Sequence, residues 1–272
     1  MTNIEEHQTG IRIADAFASG KAFIPFVTCG DPDLETTAKI VRAMQTAGAD
    51  LVELGIPFSD PTAEGVTIQD ANIRALAAGT TTDKVFDLVR DLRGGISGEA
   101  VTIPLVFMTY ANVVYSYGAD RFCAACQEIG INGLILPDVP YEEKEEFAAP
   151  CRAHGLQLVS MIAPTSHDRI KMIASEAEGF VYCISSLGVT GTRTSITTDI
   201  GAMVELVRQA TDVPVAVGFG ISNPQQAADM AGKSDGAIVG SAIVKIIAKE
   251  GRNAPDAVAA FVKDMAAATH NA

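Results

Sequence analysis

The sequence predicts a (β/α)8 TIM barrel with an extra N-terminal helix, formed by residues 1–272 as one domain. Short apolar runs typical of buried strands alternate with helical patterns along the whole chain, and the connections are short. This alternation is typical of repeated β–α units and a parallel sheet. The chain length of 272 residues also suits eight such units. A doubly wound open sheet is the alternative. It is weakened because Cys29-Gly30-Asp31-Pro32, not a GxGxxG motif, follows the first strand.

The elements follow from the spacing of apolar residues. The predicted strands are compact apolar runs, rich in Val, Ile, Leu and Phe, at 22–28, 51–54, 104–108, 133–136, 157–162, 180–184, 213–217 and 236–239. The predicted helices have apolar residues three or four positions apart, at 11–18 for the leading helix, then 34–47, 67–77, 82–92, 119–129, 142–154, 167–177, 200–210, 224–230, 241–249 and 255–268. No change of composition marks a second domain.

Composition excludes several classes of function. The chain is 48% hydrophobic and 19% charged, which allows a large core. Its net charge of −13 argues against binding nucleic acid or an anionic membrane through bulk electrostatics. No apolar run is long enough to span a membrane, and the N-terminus does not have the pattern of a secretory signal. We therefore expect a soluble, cytoplasmic protein.

The cysteines and histidines do not predict a metal site. The odd number of cysteines and their apolar neighbours indicate reduced, mostly buried thiols. Cys123 and Cys126 form a CxxC, but it lies in a helical pattern and has no second pair to complete a zinc site. The four histidines are scattered without ligand spacing. We predict no metal.

Acidic residues cluster in and after the second strand, in the stretch LVELGIPFSDPTAEGVTIQ at 51–69. Glu53 lies in an apolar strand, where an acid is seldom buried without a partner or a function. Asp60 and Glu64 follow in a segment whose Pro, Ser, Thr and Gly content favours a loop. The alternative is that Glu53 is a paired core acid and the other two are solvated.

Two glycine-containing turns predict a phosphate site. GFGIS at 218–222 and GSAIV at 240–244 place glycines ahead of two adjacent helices. The N–H groups and dipole at a helix N-terminus favour an anion, and the loops after strands 7 and 8 are the usual phosphate site of such barrels. The alternative is that these glycines only permit tight turns. The small-residue segment SSLGVTGTRTS at 185–195 suits a lid, or else a surface connection.

These features limit the classes of reaction that the site could catalyse. A glycosidase has no use for a phosphate site, and no lysine is well placed at the barrel mouth for a Schiff base. Clusters of histidine or carboxylate for a metal aldolase are missing. Acid–base chemistry on a phosphorylated small molecule that supplies its own electron sink remains.

Five motifs run in order over nearly the whole chain: FIPFVTCGDPD (23–33), ELGIPFSDPTAEG (53–65), SSLGVTGTR (185–193), GFGIS (218–222) and GSAIVKII (240–247). Together they resemble the tryptophan synthase α-subunit family. The resemblance implies a barrel that cleaves indole-3-glycerol phosphate to indole and glyceraldehyde 3-phosphate without a cofactor of its own. It also implies a partner, the tryptophan synthase β subunit, which holds pyridoxal phosphate (PLP) and receives the indole in an α2β2 assembly.

The resemblance also implies roles for single residues. Glu53 matches the catalytic glutamate, and Glu64 stands at the place of a second catalytic acid that is usually aspartate; Thr62 and Val66 replace the usual Leu and Pro. Asp60 matches a residue that signals to the partner. The substrate-binding positions, in the lid, the phosphate site and the indole pocket, are Phe26, Tyr110, Tyr182, Thr190, Gly191, Phe219, Gly220, Gly240 and Ser241.

Two alternatives stay open. The chain could be a free-standing lyase that releases indole without a partner. It could also be a weakly active regulatory subunit whose role is to activate the β partner, because Glu64 adds a methylene at the second acid's position.

Overall fold

Eight parallel strands form a closed barrel in chain order, as the sequence predicted. The structure is a computed structural model that describes residues 10–184, 199–218 and 220–272. The strands are β1 Ala22–Thr28, β2 Val52–Gly55, β3 Leu105–Met108, β4 Gly133–Ile135, β5 Gln157–Ile162, β6 Glu178–Ile184, β7 Val215–Gly218 and β8 Gly236–Val239.

Helices surround the strands. They are α1 Leu34–Thr46, α2 Val66–Ala77, α3 Thr82–Gly94, α4 Ala111–Tyr117, α5 Ala119–Ile129, α6 Glu145–Ala153, α7 His167–Ala174, α8 Ile200–Arg208, α9 Pro224–Ala231, α10 Ser241–Glu250 and α11 Ala254–His270. Short 3-10 helices cover Ile13–Phe17, Tyr141–Glu143 and Gly251–Asn253. Within the described residues, no helix combines the length and the apolar character needed to cross a membrane.

Two helical segments differ from the prediction. The leading helix is a short 3-10 helix, and its Ile13 is fully buried while the Phe17 ring lies 6.0 Å from the ring of Phe180 inside the barrel. Its apolar residues therefore close one end of the barrel. Helix α4 was not predicted, because the sequence ANVVYSY lacks a clear 3.6-residue pattern; its end is set by Gly118, which has a φ of 91°.

Successive side chains of a strand point alternately into the barrel interior and into the layer between strands and helices. On β2, Glu53 is in register with Phe26 of β1 and Val106 of β3. Phe26 and Val106 belong to the interior cluster, whereas Val52 and Leu54 pack in the layer between strands and helices. The register therefore turns the Glu53 side chain into the barrel.

The first and last strands close the sheet. Strand β1 pairs with β8 from Ala22 opposite Gly236 to Pro25 opposite Val239. Helix α11 packs against α1 and α9, on the outside of this seam. The C-terminal helix therefore covers the junction between the two ends of the chain.

Arg93 ties together the end of the barrel that the 3-10 helix Ile13–Phe17 closes. Its guanidinium is largely enclosed by protein and donates to the carbonyl oxygens of Val101, Ile103 and Gly130 and to the side-chain oxygen of Asn132, at 2.7 to 3.1 Å. Asn132 in turn donates to the Ile11 carbonyl and accepts from the N–H of Leu105. Burial lowers the pKa of Arg93 to about 10.

We expect Arg93→Met to lower the free energy of unfolding by about 3 kcal/mol, because it leaves several enclosed carbonyl oxygens without a donor. Urea unfolding measures this change. The control is Arg90→Met on the same helix, which removes an exposed ion pair with Asp87 and should lower stability by less than about 1 kcal/mol. Equal losses in the two variants would contradict a structural role for Arg93.

Candidate active site

A cavity opens at the carboxyl ends of the strands, with a volume of about 480 Å³ including its opening to solvent. Many of the residues that sequence analysis selected from distant parts of the chain line it. These are Phe26, Glu53, Glu64, Tyr182, Gly220, Gly240 and Ser241. The predicted acids and the predicted phosphate-binding turns therefore share one cavity.

Glu53 is the most unusual group in this cavity. Its side chain is 1% exposed, and neither carboxyl oxygen has a hydrogen-bond partner among the described residues. Burial disfavours the charged form and raises the pKa of Glu53 to about 8. A buried acid without a partner is not the paired core acid of the alternative interpretation. It holds a proton at neutral pH and can donate it.

Glu64 enters the same cavity from the loop between β2 and α2. It is 5% exposed, and one carboxylate oxygen accepts a hydrogen bond of 3.2 Å from the side-chain amide of Asn72. Burial raises the pKa of Glu64 and the Asn72 hydrogen bond opposes it, giving a value of about 7. The alternative interpretation of Glu64 as a solvated loop charge therefore does not hold. The two acids have different environments, and Glu64 ionises at the lower pH.

Tyr110 lies beside the cavity, and it is not among the described residues that line it. Its hydroxyl accepts a 3.1 Å hydrogen bond from the N–H of Ala63, and its ring stacks on Phe58 with centroids 5.4 Å apart. Burial raises the pKa of Tyr110. Tyr110 therefore supports the loop that carries Glu64.

Asp60 lies on the same loop but faces solvent. The Ser59 hydroxyl donates a 2.6 Å hydrogen bond to its carboxylate. Its exposure separates it from the two cavity acids.

Two glycines make room for aromatic rings in the cavity. A Cβ atom on Gly55 would lie 2.6 Å from the Phe26 ring, and one on Gly218 would lie 2.5 Å from the Tyr182 hydroxyl. Real Cβ atoms do not approach other atoms so closely. Glycine at these strand ends therefore fixes where the two rings lie. Burial, with Glu53 and Glu64 nearby, raises the pKa of Tyr182 well above its usual range.

The predicted phosphate site lines the same cavity as Glu64. Gly240 directly precedes α10, which begins at Ser241, so the first N–H groups of that helix have no carbonyl partner within it. Gly220 has a φ of 81°, a conformation that favours glycine. Gly220 therefore permits a tight turn and also lines the cavity, while Gly240 and Ser241 present a helix N-terminus to it.

Some predicted residues lie outside the described part of the chain: Thr190, Gly191 and Phe219, together with the predicted lid at 185–195. The cavity is also lined by Ile221 of the GFGIS turn and by three residues that were not predicted from the sequence, Ile68, Met108 and Ile238. Met108 and Ile238 could have been found from the inward alternation on β3 and β8. Ile68 could not, because it reaches the cavity only through the path of the β2–α2 loop.

All five cysteines are buried, as predicted, and the Cys123 sulfur lies 3.8 Å from that of Cys151. Within the described ranges, no group of three or more His, Cys, Asp or Glu side chains could hold a metal ion. The cavity thus offers a protonated acid, a second acid that ionises near neutral pH, apolar rings and a helix N-terminus. This set can transfer protons on an apolar ring that carries an anionic tail.

Comparisons with known proteins agree with this chemistry. A family model described as Tryptophan synthase alpha chain matches residues 14–270. A tryptophan synthase alpha chain of Lacticaseibacillus casei is 46% identical over 254 residues, 93% of this chain and 94% of the relative. One of Lactiplantibacillus plantarum is 52% identical over 233 residues, 85% and 86% of the two chains.

Solved structures are similar as well. The tryptophan synthase subunit alpha of Legionella pneumophila has a TM-score of 0.85 at 32% identity, over 97% of this chain and all (100%) of that one. A chain from a tryptophan synthase complex of Pyrococcus furiosus has a TM-score of 0.80 at 32% identity, over 90% and 98%.

The pKa of Glu53 predicts how stability depends on pH. The folded protein keeps this proton up to about pH 8, whereas the usual value is 4.5. The unfolded chain therefore binds fewer protons between these limits, and stability falls as pH rises. The Glu53→Gln variant lacks this titration. We therefore expect its free energy of unfolding, relative to that of the unsubstituted protein, to increase by about 1.4 kcal/mol for each pH unit between about pH 5.5 and 7.5.

Urea unfolding at several pH values measures this difference. Glu99→Gln, at an exposed acid, is the control and should show no such trend. A stability difference between Glu53→Gln and the unsubstituted protein that does not change with pH would contradict the raised pKa.

Proposed function

This chain belongs to the tryptophan synthase alpha chain family, and from that premise we propose how its residues carry out the reaction. The protein is a lyase that cleaves indole-3-glycerol phosphate to indole and glyceraldehyde 3-phosphate. The single observation that carries the residue assignment is the buried Glu53, which has no hydrogen-bond partner in the ranges 10–184, 199–218 and 220–272, in a cavity that also contains a helix N-terminus.

Glu53 acts as the acid and then as the base. In the protonated form, favoured by burial, it gives its proton to C3 of the indole ring. The ring becomes an indolenine, with positive charge on its nitrogen. As carboxylate, Glu53 then removes the proton of the hydroxyl on the glycerol carbon bonded to C3. The carbon–carbon bond breaks, its electron pair returns to the ring, and the glycerol carbon becomes the aldehyde.

Glu64 acts as the electrostatic partner of the ring nitrogen. Its carboxylate accepts a hydrogen bond from the indole N–H and stabilises the positive charge that develops on the nitrogen during protonation of C3. Two observations support this role: Glu64 lines the cavity, and its pKa of about 7 lies below that of Glu53. The added methylene of glutamate is accommodated because Asn72 meets the carboxylate.

The remaining contacts bind the two ends of the substrate. Phe26 and Tyr182 flank the indole ring, and the N-terminus of α10 at Gly240 and Ser241, together with Gly220, holds the phosphate. By the family resemblance, Thr190 and Gly191 contribute from the segment after β6 and Phe219 from the segment after β7. Tyr110 contributes indirectly, by holding the loop of Glu64. The carboxylates supply the proton transfers, so the α reaction needs no cofactor of its own.

We propose a tryptophan synthase β subunit as partner, in an α2β2 assembly, with PLP held by that subunit. The partner would cover the loops after β2 and β3. Exposed apolar residues there support this location: Val66 at the start of α2 is 69% exposed and Tyr115 on α4 is 66% exposed. Asp60, exposed on the same rim, is placed to respond to the partner.

Indole release from indole-3-glycerol phosphate tests the catalytic assignment. We expect kcat/KM to rise with pH near 7, where Glu64 ionises, and to fall above about 8, where Glu53 loses its proton.

Glu53→Gln should lower kcat by about 10³-fold, because it removes the proton donor. Glu64→Gln should lower it by about 10²-fold, through loss of one charged acceptor.

The control for these variants is Glu99→Gln, which lies at an exposed acid outside the cavity and should keep full activity. Normal turnover by Glu53→Gln would refute the role of Glu53. Normal turnover by Glu64→Gln would show that another group stabilises the ring nitrogen.

The partner assignment is tested by adding purified tryptophan synthase β subunit to the same assay. We expect at least about tenfold stimulation of indole formation, because partner binding fixes the loop that carries Glu64. Tyr115→Arg should abolish most of this stimulation, whereas Ile96→Arg, at another strongly exposed residue, should not. A high rate without stimulation would support a free-standing lyase. Absence of turnover with and without β subunit would support a regulatory subunit.

A further inference from the structure

Helix α2 carries two amide side chains that contact Glu64. The Gln69 amide donates a 2.7 Å hydrogen bond to the main-chain carbonyl of Glu64. One turn further on, the Asn72 amide donates to the Glu64 carboxylate at 3.2 Å. Helix α2 directly follows the loop that carries Glu64. This one helix therefore holds both the main chain and the carboxylate of Glu64.

Asn72 is buried, at 5% exposure, next to the buried apolar residues Ile68, Ala71 and Ala75 of the same helix. A buried amide is unfavourable unless its polar atoms are paired. The contact that Asn72 makes is to the carboxylate of a cavity acid, not to a main-chain group. An apolar residue would serve the packing of this helix face equally well, so the amide has a role beyond packing.

The position of Asn72 is itself fixed. Two residues along α2, Arg74 donates two hydrogen bonds to the carboxylate of Asp31, at 2.8 and 2.7 Å, and Asp31 is 1% exposed. Paired contacts of this kind fix both distance and direction. The loop after β1 therefore anchors α2, and α2 presents Asn72 to Glu64.

The other titratable groups that face Glu64 cannot perform this task. Glu53 shares its cavity, and Tyr110 and Tyr182 lie close enough for their charges to interact with it. Among the described residues, none of these groups donates a hydrogen bond to the Glu64 carboxylate, and each one repels it after losing its own proton. Asn72 is a neutral donor at every pH and favours the ionised form. Of the influences on the Glu64 pKa, burial raises it and the Asn72 hydrogen bond lowers it.

We propose that Asn72 is a positioning residue for the cleavage reaction. Its amide orients the Glu64 carboxylate toward the substrate and favours the ionised form of Glu64, so that the proton resides on Glu53. This role rests on the proposed function of Glu64. It also explains how a glutamate works at this place. Its additional rotatable bond would otherwise let the carboxylate adopt several orientations, and a displacement of 1 Å costs about a hundredfold in rate.

Asn72→Leu tests the proposal, because it keeps the approximate volume and removes the donor. We expect kcat for indole release to fall about tenfold while KM changes by less than about twofold, since the charge on the ring nitrogen develops mainly in the transition state. The rising limb of the pH profile should move up by about one pH unit. Asn271→Leu makes the same exchange at an exposed position and should leave both quantities unchanged.

A second background separates positioning from general damage. In Glu64→Gln, the further change Asn72→Leu should lower kcat by less than about twofold, because Asn72 acts through Glu64. An undiminished tenfold loss in that background would overturn the proposal, as would an unmoved pH limb in Asn72→Leu.

Carbon-13 NMR titration of the Glu64 carboxyl tests the inference without an activity assay. We expect its midpoint to move up by about one pH unit in Asn72→Leu and by at least as much in Asn72→Asp, which keeps the shape of Asn72 if the leucine variant does not fold. An unchanged midpoint would overturn the inference. If the unsubstituted protein released no indole while this shift occurred, the proposed function alone would fail.

Discussion

Inside the barrel, the Glu53 carboxyl is removed from water, and the described residues offer it no compensating hydrogen bond. This single desolvated group sets the conditions for the rest of the site. The parallel register places it in the interior, and its environment holds a proton that a solvated glutamate would lose. Such a group opposes folding at neutral pH, so the remainder of the core must offset it. The site is therefore a place where stability is given up for reactivity.

Glu64 is a buried acid that does have a hydrogen-bond donor. It is nearly as buried as Glu53, yet it has a donor in Asn72 and ionises more readily. Two identical side chains thus differ in pKa, since Glu64 accepts a hydrogen bond from Asn72 while Glu53 has no partner in the part of the chain that the structure describes. The arrangement depends on α2, since this helix supplies the amide and the loop after β1 holds the helix through Arg74 and Asp31.

The strands, their order and Glu53 could be predicted from the sequence, because alternation and apolar runs are local signals. Helix α4 and the 3-10 character of Ile13–Phe17 could not, because tertiary packing decides them. Tyr110 was expected to line the indole pocket or its neighbourhood, and the sequence did not show that its hydroxyl accepts a hydrogen bond from a main-chain N–H of the loop that carries Glu64. Asn72 was missed for a related reason: its value comes from a contact between a helix and the loop before it, and an asparagine inside a helical pattern carries no sign of this.

The pairing of β1 with β8 has a consequence for biosynthesis. The first strand acquires its second neighbour only from β8, so on the ribosome one edge of β1 has no partner until β8 has been synthesised. Unpaired edges recruit other strands, and closure between distant segments is slow. Barrel closure is therefore the step at which the edge of β1 is protected from pairing with other chains.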